Sequence, residues 1–438
     1  MDLSQFSTLR VAVSDLNGQM RGKRVPSSFR KKLSNGALRM PLSVLNVDIW
    51  GADVRNSPLV FETGDADGVL LPTDRGAVPM PWLDTPSALV PMAMTLEDGS
   101  PFLGDPRQAL ISVLDRYSAR NWQVMAATEM EFSLVDDTGD HLQPPVDPRS
   151  SRRLFGQDIL SVDELDAFDA FFTELYEGCV AMGLPAQTII NESGLGQFEV
   201  TLNHQNALRA ADDAWLFKVL ARGIARKHNM AATFMAKPYA DDAGNGMHVH
   251  FSVLDADGQN VFDNGGPEGT ETLKQAIAGC VHAMPASTLI FAPHGPSYDR
   301  LVPGAHAPTG ACWAYENRTA AIRVPGGAPQ ARRIEHRVAG GDINPYLMLA
   351  TVLGAAIEGV EEGMIAPAPI TGNAYDHDLP QLAPDWGAAI DVFEHDAFIA
   401  RCLPDVLIKN LVMTKRQEFE DLAKLAPHDH WKLYLERV

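Results

Sequence analysis

The run Val124-Met125-Ala126-Ala127-Thr128-Glu129-Met130-Glu131-Phe132-Ser133-Leu134 places two carboxylates, two residues apart, inside an otherwise apolar segment. The pattern predicts a strand over 124–135. Strand side chains alternate faces, so Glu129 and Glu131 point the same way. Two carboxylates side by side on a core strand repel each other unless positive charge lies between them. Either that face meets solvent at a sheet edge, or the fold gathers cations against it. A divalent metal ion is the simplest form of the second solution.

Four further clusters favour the metal. Asn191-Glu192-Ser193-Gly194-Leu195-Gly196-Gln197-Phe198-Glu199 holds two more carboxylates around a glycine-rich turn, and a hairpin there brings Glu192 toward Glu199. Gly244-Asn245-Gly246-Met247-His248-Val249-His250-Phe251-Ser252 opens a strand on which His248, His250 and Ser252 share a face. Taken alone, such histidines are more often packed or solvated than ligands. Arg333, Glu335 and Arg337 alternate within Arg332-Arg333-Ile334-Glu335-His336-Arg337, and the segment from Asn317 adds Arg318 and Arg323. Guanidinium groups interleaved with apolar residues on core strands line a cavity for an anion, because their planar forks match carboxylate and phosphate. Together these groups point to hard divalent ions, Mg2+ or Mn2+, handling phosphate.

Charge excludes other classes of partner. Acidic groups outnumber basic ones 56 to 36, a formal charge of -20, with no concentrated basic patch, which argues against nucleic acid and anionic membranes. The longest mainly apolar stretch, around Leu347 to Ile357, is too short to cross a bilayer. The opening Met1-Asp2-Leu3-Ser4-Gln5 lacks the features of a signal peptide, and Cys179, Cys280, Cys312 and Cys402 form no Cys-x-x-Cys pair. The expected compartment is the cytoplasm. Gly18-Gln19-Met20-Arg21-Gly22-Lys23 has the outline of a phosphate-binding loop, but its glycines are one residue too close, and Arg24 stands where Ser or Thr would hold the metal.

A chain of 438 residues suggests two domains. Residues 8 to about 100 read as strands and turns, punctuated by Asn17-Gly18, Asn35-Gly36 and Asp98-Gly99. At Asp105-Pro106 a helical period begins, with Asp as cap and Pro in the first turn. The expected division is 1–103 and 104–438. In the second part the pattern predicts helices over 163–182, 208–228, 270–284 and 345–362, strands over 197–202, 247–254, 320–324 and 333–338, and a largely helical C-terminal stretch.

In sequence order these clusters resemble the glutamine synthetase family along nearly the whole chain. The resemblance is carried by Asp15-Leu16-Asn17-Gly18 through Arg21-Gly22-Lys23, Glu129-Met130-Glu131-Phe132, Gly196-Gln197-Phe198-Glu199, Gly246-Met247-His248-Val249-His250, Arg300-Leu301-Val302-Pro303-Gly304, Asn317-Arg318, Arg332 to Arg337, and Asn344-Pro345-Tyr346-Leu347. It implies an α+β fold, with a β-grasp-like N-terminal domain followed by a catalytic domain in which helices surround a funnel of antiparallel strands. It further implies a homo-oligomer of stacked rings, a dodecamer, with active sites between subunits.

By motif, the resemblance assigns Glu131, Glu192 and Glu199 to one metal ion and Glu129, His248 and Glu335 to a second. His250 and Ser252 would contact ATP, with Arg323 and Arg333 on its phosphates. Arg300, Arg337 and Gly244 would bind glutamate, and Arg318 would meet the transferring γ-phosphoryl group. The implied chemistry is ATP-driven: phosphorylation of the γ-carboxylate, then attack by an amine.

The chain departs from the family at the amine. Ammonia-using members carry a Glu two residues after the Gly of the Arg-Leu-Val-Pro-Gly loop, whereas this chain reads Gly304-Ala305-His306. Ammonium needs an anionic pocket, and an imidazole weakens it. The Asn-Gly that precedes the histidine turn in those members is Ala243-Gly244 here, and Trp313 lies beside the loop. These changes resemble the branch that makes γ-glutamylpolyamines and γ-glutamylmethylamide. The expected catalytic residues are Arg318, Glu192, His306 and Asp48, the last as the acid given by a neighbouring subunit. The expected activity joins glutamate to a small primary amine. The alternatives are glutamine synthesis from ammonia and a non-catalytic homologue, which intact metal positions disfavour. Tyr375 reads as an exposed loop tyrosine.

Overall fold

The computed structural model describes residues 2–305 and 307–438, so the expected catalytic His306 lies outside the described residues. The N-terminal part forms a six-stranded sheet from β1 (Thr8–Ser14), β2 (Met20–Pro26), β3 (Arg39–Pro41), β4 (Asp67–Pro72), β5 (Val78–Pro79) and β6 (Ser87–Thr95). Its order is β2-β1-β6-β4-β3, with β5 also on β6; β1 and β6 run parallel and the other pairs antiparallel. Leu9, Val11 and Val13 alternate into one core, while Ala12, Leu16 and Leu89 join the main one. The phosphate-loop lookalike is the β1–β2 turn: Gly18, at φ +77°, caps it, and the Gly18 carbonyl accepts the Trp215 indole N–H at 2.8 Å.

An eight-stranded sheet follows, built from β7 (Gln123–Val135), β8 (Ala186–Asn191), β9 (Gln197–Asn206), β10 (Ala231–Thr233), β11 (Met247–Leu254), β12 (Trp313–Tyr315), β13 (Ile322–Val324) and β14 (Ile334–His336). The order is β12-β13-β14-β11-β7-β9-β8, with β10 on β7, and all pairs but β12–β13 are antiparallel. β7 is the spine of this sheet. Val124, Ala126, Thr128, Met130 and Phe132 are buried on one face, while Met125, Ala127, Glu129 and Glu131 on the other are only half-buried.

Helices seal the buried face. Phe132 sits among Phe171, Phe198, Phe217 and Phe234 at ring-centroid distances of 5.6 to 6.4 Å. The helices Ala207–Lys227, Glu271–Ala283 and Pro345–Glu361 complete the layer. Asn344 starts the last of these by accepting from the Tyr346 N–H, and its amide nitrogen donates to the Asp15 carbonyl at 2.9 Å, tying that helix to the end of β1. The Asp105 cap behaves as the sequence implies, accepting from the Arg107 N–H at 2.9 Å; its other oxygen takes the Met94 N–H of β6. No helix among the described residues is long and apolar enough to cross a membrane.

Two sequence expectations need correction. The helix expected over 163–182 is two helices, Val162–Ala167 and Asp169–Met182, because Phe168 leaves helical geometry to bury its ring 5.7 Å from Phe198. The strands expected over 320–324 and 333–338 shrink to three residues each, although Ala321 and Arg337 just outside them still bond to one another at 2.9 Å.

Candidate active site

Sheet register assembles the site. Across β7 and β11, Glu129 stands opposite His248; across β7 and β9, Glu131 stands opposite Glu199; across β11 and β14, His250 stands opposite Glu335; and across β13 and β14, Arg323 stands opposite Glu335. The period-two pattern on each strand turns these side chains to one common face. One ligand atom from each of Glu129, Glu199 and His248 lies within 4.8 Å of the others, and the same holds for Glu129, His250 and Glu335.

Glu129 is the hinge of both groups. Its two oxygens lie 3.0 Å from His248 Nδ1 and 2.9 Å from His250 Nε2. Glu131 turns the other way, accepting from the Gly246 N–H at 2.6 Å and the Gln197 amide at 3.2 Å. The two groups share Glu129, with Glu199 and His248 in one and His250 and Glu335 in the other.

The charges are unbalanced in a telling way. Burial opposes ionisation of Glu129, yet the two imidazole hydrogen bonds outweigh it and hold the carboxyl well below the usual range. For Glu199, burial and the neighbouring Glu129 and Glu131 charges all push the carboxyl upward. Burial, reinforced by Glu131, likewise pushes Glu192 up to about 7. Carboxylates that cannot all ionise together, beside two imidazoles, form an oxygen-rich donor set suited to hard divalent ions.

A pH dependence follows. A carboxyl raised from 4.5 to about 7 binds its proton more tightly when folded, so its contribution to stability is present below pH 4.5 and lost as pH rises through 7. With Glu192 expected among the metal ligands, binding of the ion would displace that proton. Mg2+ affinity is therefore expected to rise by about tenfold or more between pH 6 and pH 8, with proton release. Calorimetric titration in buffers of different ionisation enthalpy checks this; equal affinity at both pH values would contradict it.

Arginines close the other side. Arg323 donates to Glu335 at 2.7 Å, and Arg337 donates to the other oxygen of Glu335. Among the described residues, the buried Nε atoms of Arg323 and Arg337 meet no hydrogen-bond partner. Arg333 Nε lies 3.2 Å from His250 Nδ1. Arg332 points to the opposite face, toward the Gly266 carbonyl. Arg300 is only 4% exposed and donates to the Val338 carbonyl at 2.8 Å. It passes so close to Gly246 that a Cβ there would sit 2.6 Å from Arg300 Nη2. Arg318 is exposed on a loop, where its charge reaches Glu192.

Beside this basin lies a cavity of about 540 Å3 whose lining includes Met125, Glu129, Gln187, His250, Ser252 and Arg333. Its volume falls in the range of small-molecule sites. Ser252 and His250 are thus brought together, as their shared strand face predicts.

Other expected residues fall elsewhere. Gly244 is half-buried and its carbonyl accepts the Gln197 amide at 2.9 Å. Asp48 is turned inward at 1% exposure, accepting from the Trp50 and Ala52 N–H groups and from Gln417 at 2.9 Å. Its expected part in a neighbouring chain's site belongs to the assembly proposed below. Tyr375 is not an exposed loop residue: it is half-buried, and its hydroxyl donates to the Ala307 carbonyl at 2.9 Å. Sequence reasoning gave no role to Gln197 and Asn245. Gln197 joins Glu131, Gly244 and Asn245, and Asn245, fully buried, fixes Met235 and Ser133. The only signal was the amide's place between glycine and carboxylate in Gly196-Gln197-Phe198-Glu199.

Comparison with known proteins agrees with this arrangement. Residues 103–434 match the family model described as glutamine synthetase, catalytic domain. The chain is 38% identical to the gamma-glutamylputrescine synthetase PuuA of Escherichia coli, over 84% of this chain and 79% of that protein. It is 33% identical to the glutamine synthetase of Methanocaldococcus jannaschii, over 74% and 73% of the two chains. A solved GmaS/ADP complex superposes with a TM-score of 0.85 at 26% identity, covering 98% of this chain and 99% of that one. The strand register, the carboxylate and imidazole row and these matches lead to one conclusion: the chain belongs to the glutamine synthetase family of glutamate–amine ligases.

Proposed function

We propose that this protein uses ATP to join the γ-carboxylate of glutamate to a small primary amine, an alkylamine or polyamine, through a γ-glutamyl phosphate intermediate. The observation that carries the reading is the register-built row of Glu199, Glu131, Glu129, His248, His250 and Glu335 facing Arg323, Arg333 and Arg337. A free carboxylate is a poor electrophile, so the first step must activate it, and ATP supplies the phosphoryl group. Glu129, Glu131, Glu192, Glu199, His248 and Glu335 would hold Mg2+ or Mn2+, whose chemistry is to neutralise phosphate charge and orient its oxygens.

The chain's own residues do the remainder. Arg323 and Arg333 bind the phosphates of ATP, while His250 and Ser252 orient the nucleotide in the adjoining cavity. Arg300 and Arg337 take the α-carboxylate of glutamate, held in direction by Val338 and Glu335. Arg318, on its exposed loop, is free to meet the oxygens of the transferring group.

An organic amine, not ammonium, is supported by the sequence of the loop after Arg300, which has His306 where an anionic residue would attract ammonium. PuuA, named for putrescine, is a relative of matching character. The competing reading, ammonia as nucleophile, is favoured by the Methanocaldococcus jannaschii relative. ADP release measured with glutamate across ammonium, methylamine, ethanolamine and putrescine separates the two.

The proposal includes stacked rings of identical chains, a dodecamer, with sites completed between subunits; Asp48 would have to turn out from its buried position to serve a neighbour's site. Phe155, Ile159, Leu160 and Val162, exposed by 57 to 100%, form apolar surface of the kind such contacts cover.

A further inference from the structure

Arg300, assigned above to the α-carboxylate of glutamate, is held at both ends from one short stretch, residues 338–342. At its tip, Nη1 donates to the Val338 carbonyl at 2.8 Å. At its base, the Arg300 N–H donates to the Ser297 carbonyl at 3.2 Å, closing the short helical turn Gly295–Asp299. Ser297 is 2% exposed, and its side chain clamps that turn. Ser297 Oγ accepts from the His294 N–H at 3.1 Å and donates to Asp342 Oδ2 at 2.6 Å.

Asp342 stands on anchored backbone. The Gly341 N–H before it donates to the Asn245 carbonyl at 2.9 Å, and the Ile343 carbonyl after it accepts from Lys218 Nζ at 2.9 Å. A Cβ on Gly340 would lie 2.5 Å from Asp342 Oδ1, so glycine there leaves the room that the carboxylate occupies. Asp342 is 3% exposed, and among the described residues its Oδ1 meets no hydrogen-bond partner. The bond from Ser297 is thus the one hydrogen bond of this carboxylate among the described residues. Burying a carboxylate with so few partners is costly, and an apolar side chain of similar size would fill the space at less cost. What the carboxylate adds is direction. It sets Ser297, Ser297 sets the turn, and the turn sets where the Arg300 side chain begins.

We propose that Asp342 is a positioning residue for glutamate: through Ser297 it fixes the backbone of the turn that carries Arg300, while Val338 fixes the guanidinium, so the fork meets the α-carboxylate already oriented. The inference rests on the place given to Arg300 in the amine-ligase reading above and adds the acid that sets its geometry. Bidentate contact with a carboxylate depends on the orientation of the guanidinium plane. Without the Ser297–Asp342 bond the turn loses its side-chain anchor, and the fork spreads over several orientations before glutamate arrives. Glutamate then binds more weakly. The nucleotide cavity, lined by Met125, His250 and Ser252 on other strands, keeps its shape.

The test uses the full chain with Ser297→Ala, Asp342→Ala, the two together, and Asp342→Asn, which keeps an oxygen for Ser297. With the best amine of the panel, each alanine variant is expected to raise the glutamate KM about tenfold and to leave the ATP KM within about twofold of the parent. The double variant should be no worse than the poorer single one, because both substitutions remove the same hydrogen bond. Asp342→Asn should keep a glutamate KM within about threefold of the parent. A glutamate KM within about twofold of the parent in Ser297→Ala would overturn the inference. So would an equal rise in the glutamate and ATP KM, effects that multiply in the double variant, or an Asp342→Asn as impaired as Asp342→Ala. If Asp342→Ala does not fold, Ser297→Ala and Asp342→Asn decide the matter on the same readings. The two claims fail separately: a parent that forms no γ-glutamyl amide with any amine refutes the function, whereas a ligating parent whose Ser297→Ala variant keeps its glutamate KM refutes only the role of Asp342.

Discussion

Glu129→Gln is expected to lower kcat by about 10³-fold while leaving the fold intact. Among the described residues Glu129 is the only carboxylate whose two oxygens meet both imidazoles, at 3.0 and 2.9 Å, and it belongs to both ligand groups. Glutamine keeps the shape and one acceptor, so β7 and β11 can hold their register. It removes a charge that the assembled phosphates and metal ions require, and turns an amide N–H toward one histidine. The loss should therefore appear in turnover and in metal affinity, with little change in melting temperature. Steady-state kinetics at saturating Mg2+ with a parallel metal titration give both readouts. A variant within tenfold of the parent in kcat would remove Glu129 from the reaction centre.

The largest expected effect on stability lies away from the site. Lys415 has no exposed surface and donates to Glu418 at 2.8 Å and to the Asn17 side chain. Glu418, equally buried, accepts in turn from Asn17 at 3.0 Å and from the Ile49 N–H at 2.7 Å. This pair joins the C-terminal helix Asp405–Leu422 to the N-terminal sheet. Burial raises the Glu418 carboxyl, but Lys415 and His294 more than offset this and bring it down to about 2. Lys415→Met strands a buried carboxylate and is expected to cost about 3 to 5 kcal/mol. Lys415→Met with Glu418→Gln should recover part of that loss, because the uncompensated charge is gone. Urea unfolding midpoints of the two variants check this. A loss under about 1 kcal/mol for Lys415→Met would show that the pair is not a structural tie.

The sequence made the faces of the site legible and left its depth obscure. Alternation alone set Glu129 beside Glu131 and His248 beside His250, because a strand repeats every two residues. Which residue of one strand meets which of another depends on register, set by distant turns and packing, so the pairing of Glu129 with His248 emerged only in three dimensions. The same limit applies to Arg332 and Arg333. Adjacent in the chain, they face opposite ways, and only Arg333 reaches His250. Phe168 broke an expected helix because its ring belongs to the phenylalanine cluster, a tertiary demand that helical periodicity does not encode. Tyr375 looked exposed because its short turn is polar on both sides; its hydroxyl is satisfied by a carbonyl 68 residues away in the chain.

The site itself holds only a small part of the acidic excess of 20. Five carboxylates converge where Glu199 and Glu192 resist ionisation, a charge pattern that divalent ions and ATP would balance together. The arginines then meet phosphate and carboxylate from the other side.

The central claim is that the activated glutamate is captured by an organic primary amine. The measurement is kcat/KM for γ-glutamyl amide formation, with ATP, Mg2+ and glutamate saturating, across ammonium, methylamine, ethanolamine and putrescine. The account predicts that at least one organic amine exceeds ammonium by tenfold or more, with one ADP released per amide. Ammonium as the best substrate, or no ADP release with any of the four, would contradict it.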